Sequence, residues 1–274
     1  ANLAPSLATV KADKPVTYTN GCHADFAATK PKDCVYGKPG AASTVVLFGD
    51  SHAAQWFPAL DALVDRLGWR LVSLTKSACT PAAARVNLAA LKREYTECAA
   101  WRAHAVDRIR ALHPAVVVMS GNGDGGTPLG GTGNVDRDWA VAWVATARAV
   151  KAAGARVVLL EDTPWPSGNV PDCASTHLTD VRPCSRLRAP AILKPGRRAM
   201  VADAVAKEGV AVVDPAPWLC AARTGDAASA PRGCAHPPRS YGRRCTCARI
   251  AAHRARAECL SRRFSGNGVE IRNR

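Results

Sequence analysis

The chain alternates short, continuous apolar runs with longer segments in which apolar residues recur at helical spacing. Such runs are typical of strands buried on both faces, and the helical recurrence is typical of helices that cover them. The predicted strands are residues 44–49, 69–74, 115–119, 155–160 and 210–213. The predicted helices are residues 53–67, 94–112, 136–153 and 194–207. This order predicts an α/β fold, a three-layer α/β/α sandwich around a doubly wound, mainly five-stranded parallel sheet.

Polar residues follow the carboxyl ends of these predicted strands. Asp50 and Ser51 follow the first strand, Asn122 the third, Asp162 the fourth and Asp214 the fifth. In open parallel sheets, ligands bind in the crevice outside the carboxyl ends of the strands. The sequence therefore predicts a functional site at this edge of the sheet.

Ser51 is the candidate nucleophile. Residues 49–52 read Gly-Asp-Ser-His, directly after an apolar strand and directly before an amphipathic segment. A strand that turns at once into a helix lifts the serine hydroxyl to the edge of the sheet, beside the N–H groups of the first helical turn. The alternative, that Asp50 or Ser51 only caps the helix, is the ordinary interpretation of a bare Asp-Ser pair.

A serine acyl-transfer site also needs a base, an orienting group and donors for the oxyanion. The candidate donors are the backbone N–H of Ser51, a backbone N–H near Ala78 and the side chain of Asn122; an asparagine in a glycine-rich loop is equally a turn former. We expect His52 to bond near the rim rather than act as the base, because neighbouring helical side chains point about 100° apart. Asp162 and Asp214 are interpreted as structural caps.

Composition limits the class of protein. The 274 residues allow one large or two small domains, and 47% of them are hydrophobic. No apolar run approaches the ~20 residues of a membrane span. The net charge of +15 is uneven, because residues 231–274 carry eleven arginines against Glu258 and Glu270. The chain begins with Ala1, so we expect a processed form or a piece of a longer protein.

Eight of the eleven cysteines fall as four successive close pairs in predicted loops or loop edges. They are Cys22 and Cys34, Cys79 and Cys98, Cys173 and Cys184, and Cys220 and Cys234. Eight cysteines allow 105 connectivities, of which sequential loop closure is the simplest, and buried free thiols are the alternative. Disulfides at these cysteines would place the protein outside the cytoplasm.

Four blocks of sequence resemble the SGNH hydrolase superfamily, in the expected order. They are Gly-Asp-Ser-His-Ala at residues 49–53, Lys-Ser-Ala-Cys at 76–79, Tyr-Thr-Glu-Cys at 95–98 and Asp-Pro with Leu-Cys at 214–220. More closely, residues 21–234 resemble the SGNH domain fused to acyltransferase-3 type membrane acyltransferases, which O-acylate cell-envelope glycans; residues 1–20 are then a linker. The resemblance implies a flavodoxin-like sheet, Ser51 as the nucleophile, and Ala78 and Asn122 at the oxyanion.

Two departures from the family pattern concern the catalytic set. Ala78 stands where the family usually has a glycine, and no Asp-x-x-His occurs anywhere in the chain, so the base and the orienting acid are unknown. Residues 235–274 form an atypical Arg/Cys-rich tail, for which we hypothesise a frameshifted, decayed or disordered end. Two competing interpretations are that the arginines bind an anionic polymer, or that Cys245, Cys247, Cys259, His236 and His253 bind a metal. We expect no metal.

The resemblance predicts acyl transfer through a Ser51 ester, as an O-acetyl or acyltransferase or an esterase acting on cell-envelope glycans. The expected partners are an envelope polysaccharide, an acyl donor and an upstream membrane acyltransferase domain; neither a cofactor nor nucleic acid is expected. The expected location is periplasmic or at the cell surface, tethered through an N-terminal region missing from this sequence. Because the Asp-x-x-His is missing, the domain could be inactive, and the alternative is a non-catalytic or vestigial glycan-binding domain.

Overall fold

The computed structural model describes residues 5–220 and 244–245. Its strands are β1 (His23–Ala24), β2 (Val35–Gly37), β3 (Thr44–Gly49), β4 (Arg70–Lys76), β5 (Val86–Leu88), β6 (Arg93–Glu94), β7 (Val116–Ser120), β8 (Thr127–Pro128), β9 (Arg156–Leu160), β10 (Arg186–Leu187), β11 (Ala211–Val213) and β12 (Arg244–Cys245). Its α-helices are α1 (Val16–Thr19), α2 (Ser51–Ala54), α3 (Phe57–Leu67), α4 (Thr96–Leu112), α5 (Val135–Lys151), α6 (Val170–Thr176), α7 (Arg188–Ala191), α8 (Pro195–Lys207) and α9 (Ala216–Leu219), and Arg182–Cys184 forms a 3-10 helix.

The central sheet has the strand order β1-β4-β3-β7-β9-β11, with β2 on the outer side of β4. The five predicted strands are all present and pair in parallel, and only β2 runs antiparallel. In chain order these five strands take the positions 2-1-3-4-5, which is the flavodoxin-like arrangement. Its switch point lies between β3 and β7, where Gly49 is in register with Ser120. The predicted α/β fold is confirmed.

Alternate residues of the strands fill two cores, one on each face of the sheet. Val46 and Phe48 of β3 join a cluster with residues of α4, α5 and α8. Val45 and Leu47 join a second cluster with residues of α2 and α3. Burying each such side chain contributes about 2 kcal/mol relative to exposure. The sheet is therefore covered on both faces, and the candidate site residues lie beyond the carboxyl ends of its strands.

The single helix predicted over residues 53–67 is wrong, because the structure divides it into α2 and α3. Pro58 lies at the start of α3 and has no backbone N–H, so it cannot donate to the carbonyl four residues earlier. Trp56 instead donates to the Ala53 carbonyl at 2.9 Å and acts as the N-cap of α3. Ser51 consequently begins a helix of one turn and gains no dipole from a long one.

The tail is described only at residues 244–245, which form β12 and pair antiparallel with β10. Cys234, the rest of residues 235–274 and the predicted frameshift lie outside the described residues. Within residues 5–220 and 244–245, no helix is both long and apolar enough to cross a bilayer.

Disulfides join three of the four predicted cysteine pairs: Cys22–Cys34, Cys79–Cys98 and Cys173–Cys184. Cys220 is also disulfide-bonded, and Cys234, its predicted partner, is outside the described part of the chain. Closing loops of 11 to 19 residues contributes about 3 kcal/mol each in the chain-entropy model. The Cys79–Cys98 bond fastens the loop after β4, which carries Ala78, to α4.

His23 makes the free energy of unfolding depend on pH. It is buried beside β4, and burial followed by the charge of Lys76 lowers its pKa from 6.5 to about 4. Between these values the unfolded chain binds a proton that the folded chain does not, so the free energy of unfolding falls as the pH falls from about 6.5 to about 4. We expect His23→Asn to remove about 1–3 kcal/mol of this decline. Urea unfolding at pH 7 and pH 4.5 measures it, with His113→Asn as the control that keeps the decline.

Candidate active site at the sheet switch point

Ser51 lies where β3 meets α2, next to the switch point. Asp50 is the N-cap of α2, and its Oδ1 accepts a hydrogen bond from the His52 backbone N–H at 2.8 Å. Gly49 precedes it because β3 and β7 approach closely there: a Cβ on Gly49 would lie 1.8 Å from the Ser120 carbonyl oxygen. Ser51 is partly exposed, and no side chain in the described part of the chain hydrogen-bonds its hydroxyl. Asp50 takes the capping role, and Ser51 as the nucleophile stays a prediction.

Asp50 also ties the Ser51 turn to the loop after β7. Its Oδ2 accepts a hydrogen bond from the Asn122 backbone N–H at 2.8 Å. The carboxyl group is only 2% exposed, and this burial raises its pKa although His52 and the two backbone donors oppose the rise. Asp50 therefore fixes the relative positions of Ser51 and Asn122, the predicted nucleophile and the predicted oxyanion donor.

His52 pairs with Asp162 at the end of β9. The His52 Nδ1 is 2.6 Å from Asp162 Oδ1, and both side chains are largely buried. Asp162 Oδ2 accepts hydrogen bonds from the Gly123 N–H and from Trp165 Nε1, each at 2.9 Å. Burial would raise the pKa of Asp162, but its hydrogen bonds, from His52 above all, outweigh that effect and lower it. Asp162 is thus a buried carboxylate.

This pairing changes the interpretation of Asp162. The sequence suggested a structural cap, whereas the carboxylate joins α2, the loop after β7 and the loop after β9. His52 does bond near the rim, as expected. Both residues are visible in the sequence at strand ends, but a contact across 110 positions has no local signal. Asp214, by contrast, is structural: it pairs with Arg188 and Arg198 and accepts from the Ala216 N–H.

Asn122 is held by three hydrogen bonds. Besides its backbone bond to Asp50, its Oδ1 accepts from the Asp124 N–H at 2.8 Å, and its Nδ2 lies 3.4 Å from His52 Nε2. Asn122 therefore forms a turn with its carbonyl oxygen and directs its amide nitrogen towards the site. The two interpretations of this residue, turn former and amide donor, are compatible.

Ala78 lies in the turn after β4, on the other side of β3 from Asn122. Its φ of 50° is in the left-handed region, which favours glycine. The torsion at this position is thus one that glycine would adopt without strain. Ala78 is exposed, so its methyl group contributes little packing to offset the strain.

Ala78→Gly should stabilise the fold. The left-handed conformation costs alanine about 1–2 kcal/mol, and glycine loses about 0.5–1 kcal/mol in backbone entropy, so we expect a gain of up to about 1 kcal/mol in the free energy of unfolding. Urea denaturation measures it. Ala42→Gly, in an exposed loop without a positive φ, is the control and should lose stability; a loss for Ala78→Gly as well would contradict the strain argument.

Lys76, in the same sequence block, has a structural role. Its side chain is buried, and its Nζ donates to the backbone carbonyls of Asp25 and Phe26. Burial lowers the pKa of the Lys76 ammonium to about 8. The lysine therefore anchors the loop after β1 to the end of β4.

A cavity of about 720 Å³ opens beside Ser51 and His52. Its other walls are the loop of residues 163–171, which includes Trp165, and residues 10–18 of the predicted linker. The linker is fastened there by Lys11, whose Nζ is 2.5 Å from Asp172 Oδ1. The cavity has the size of a small-ligand site, and the Ser51 turn forms part of its wall.

Among the residues that the structure describes, no group of potential metal ligands lies at this site. Within the described ranges, the one cluster of three potential ligands is Cys173, His177 and Cys184. Both of its sulfurs are in a disulfide, whereas cysteine binds metals as a thiolate. His177 hydrogen-bonds locally, to the Cys173 carbonyl and to Thr176.

Comparison with known proteins agrees with the fold. The structure is similar to the periplasmic domain of a lipopolysaccharide acetyltransferase from Salmonella ser. Paratyphi A, with 18% identity, a TM-score of 0.51 and coverage of 78% of each chain. It is also similar to TesA, with 17% identity, a TM-score of 0.38 and coverage of 81% of this chain and 98% of TesA. No curated protein sequence matches the chain. The model of the family "SGNH domain (fused to AT3 domains)" matches residues 21–233, and the chain therefore belongs to this family.

Proposed function

We propose that this domain transfers an acyl group, by way of an ester on Ser51, to or from a hydroxyl of a cell-envelope glycan. The observation that carries the proposal is the partly exposed Ser51 at the switch point, at the wall of a 720 Å³ cavity, with its neighbour Asp50 hydrogen-bonded to Asn122. Membership of the SGNH family adds the expectation of ester chemistry. Acetyl is the acyl group suggested by the lipopolysaccharide acetyltransferase domain of similar fold.

In this reaction Ser51 Oγ attacks the acyl carbonyl carbon and forms a tetrahedral oxyanion. The Asn122 Nδ2 and the Ala78 backbone N–H are the proposed oxyanion donors, together with the Ser51 N–H. The bond to the donor's leaving oxygen then breaks, and that oxygen departs with the proton from Ser51. In the second half, the oxygen of a glycan hydroxyl or of water attacks the ester carbonyl, and the bond between Ser51 Oγ and the acyl carbon breaks. The proton of the attacking hydroxyl passes to Ser51 Oγ and restores the serine.

The proposed setting is outside the cytoplasm, with an AT3-type membrane acyltransferase as the source of acyl groups. Three disulfides within residues 22–184 favour an oxidising compartment. Fusion to AT3 domains is the arrangement that names the family. The envelope glycan as acceptor rests on the acetyltransferase domain of similar fold.

Acetyl transfer tests this proposal. The purified chain is incubated with p-nitrophenyl acetate, with and without envelope polysaccharide, and both p-nitrophenol and glycan-bound acetate are measured. We expect p-nitrophenol release above the rate in buffer, and acetate on the glycan when it is present. Release at the buffer rate, together with retention of the polysaccharide by the protein, would support a non-catalytic glycan-binding domain instead.

A further inference from the structure

Three side chains form a continuous chain of contacts from β9 to the loop after β7. Asp162 Oδ1 is 2.6 Å from His52 Nδ1, and His52 Nε2 is 3.4 Å from Asn122 Nδ2. The imidazole therefore lies between a carboxylate and the side-chain amide that we propose as an oxyanion donor. Each end of this chain is fixed by backbone donors, since Gly123 and Thr163 bind Asp162, and Asp124 binds Asn122.

The hydrogen-bond partners at the two ends determine which ring nitrogen of His52 carries a hydrogen. The Asp162 carboxylate can only accept, so the His52 Nδ1 donates to it. At the other end, the Asp124 N–H donates to Asn122 Oδ1, which turns the NH₂ group towards His52. The Asn122 Nδ2 has only hydrogens to offer, so the His52 Nε2 is the acceptor. The contacts thus select one tautomer and one amide orientation.

Trp165 fixes the plane of the imidazole. The two rings stack with centroids 5.2 Å apart and planes at 20°. The Trp165 Nε1 also donates to Asp162 Oδ2, so one indole ring restrains both partners. His52 is held against rotation by its carboxylate partner and by this aromatic face.

We propose that His52 is a positioning residue that holds the Asn122 amide, so that the second hydrogen of Nδ2 is directed at the oxyanion on the Ser51 intermediate. The inference rests on the proposed function for its catalytic consequence, but the positioning contact can be measured independently. In this role His52 does not serve as the Ser51 base, because its Nε2 lone pair accepts from the Asn122 amide. Asp162 acts through His52 in the same way.

Nuclear magnetic resonance of the Asn122 side-chain amide tests the contact without any substrate. The signals are assigned by their loss in Asn122→Asp and followed in His52→Ala, His52→Gln and Asp162→Asn. We expect the two amide proton signals to shift in His52→Ala and in Asp162→Asn. His52→Gln keeps an acceptor and should restore most of the wild-type position. His104→Gln, an exposed histidine on α4, is the control and should leave the signals in place.

Ester hydrolysis in the same variants tests the consequence. We expect His52→Ala to lose about 10–100-fold in kcat with little change in KM, since an oxyanion donor contributes about 10²–10³-fold. His52→Gln should recover part of this loss, although glutamine cannot act as a base. The double variant His52→Ala/Asn122→Ala should be no slower than Asn122→Ala alone, because both changes remove the same interaction.

The outcomes separate the two proposals. Unchanged Asn122 signals in a folded His52→Ala would overturn the positioning role, whatever the activity. Multiplicative losses in the double variant, with no recovery in His52→Gln, would overturn it in favour of a base. A third outcome combines shifted Asn122 signals in His52→Ala with a wild-type protein that shows no Ser51-dependent turnover. It would support the contact and overturn only the proposed function.

Discussion

Ser51→Ala should abolish ester turnover, which is the largest change in activity that the structure predicts. Without the hydroxyl no acyl ester forms, and the remaining donors can only polarise the substrate towards water. We expect kcat for p-nitrophenyl acetate to fall by about 10³-fold or more. The fold should be unaffected, because Ser51 is partly exposed and its hydroxyl bonds to no side chain of the described part. Stopped-flow and steady-state p-nitrophenol release measure the burst and the turnover.

Ser77→Ala is the matched control for this prediction. Ser77 lies at the end of β4, on the same edge of the sheet, and its hydroxyl contacts His23 rather than the Ser51 turn. We expect kcat within about 3-fold of wild type, since the change removes a hydroxyl that contacts His23 and keeps the peptide bond between Ser77 and Ala78. Equal losses of kcat in Ser51→Ala and Ser77→Ala would contradict the prediction. They would mean that a general disturbance of this edge of the sheet, and not the loss of the Ser51 hydroxyl, lowers turnover.

Gly49→Ala should cause the largest loss of stability of any single methyl group added near the site. The new Cβ would lie 1.8 Å from the Ser120 carbonyl oxygen and 2.8 Å from the Ala53 Cβ. The first neighbour is backbone and cannot rotate away, so β3 and β7 must separate at the switch point. We expect a loss of about 3 kcal/mol or more in the free energy of unfolding, measured by urea denaturation.

Gly40→Ala separates this clash from backbone strain. Gly40 has a φ of 70°, but no atom of the described residues lies within 4 Å of the place that a methyl group would take there. Alanine at this position should cost only the left-handed penalty of about 1–2 kcal/mol. Similar losses at the two glycines would contradict the close approach of β3 and β7.

The sheet, and the edge that carries the candidate site, could be predicted because their signals are local. Each of the five parallel strands is a continuous apolar run, and Ser51 and Asn122 follow two of them directly. The crevice then follows from topology, since β3 and β7 adjoin at the switch point. Three of the cysteine pairs were predictable for the same reason, because each closes a short loop.

The contacts that organise the site could not be predicted, because they join distant parts of the chain. The pairing of His52 with Asp162 depends on the alignment of β3 and β9 across β7. The strained torsion of Ala78 arises from how the turn after β4 is closed, which the alanine itself does not signal. The break between α2 and α3 had a local signal in Pro58, but the apolar spacing over residues 53–67 is regular enough to suggest one helix.

The sequence contains no Asp-x-x-His, so this motif does not supply a base that takes the proton of Ser51. His52 follows Ser51 in the chain and pairs with Asp162 through its Nδ1. Its Nε2, however, contacts the Asn122 amide. An active enzyme therefore needs a base other than this pair, and an inactive one would keep the arrangement without turnover. Trapping the acyl intermediate distinguishes these cases more directly than a rate does.

The decisive measurement is the mass of the Ser51 peptide after brief incubation with p-nitrophenyl acetate and an acid quench. A working nucleophile predicts that one acetyl group is added to the peptide that contains Ser51, and that the fragment spectrum places it on that side chain. The addition should be missing in Ser51→Ala and present in Ser77→Ala. Acetyl found only on lysines, in wild type and Ser51→Ala alike, would contradict the account.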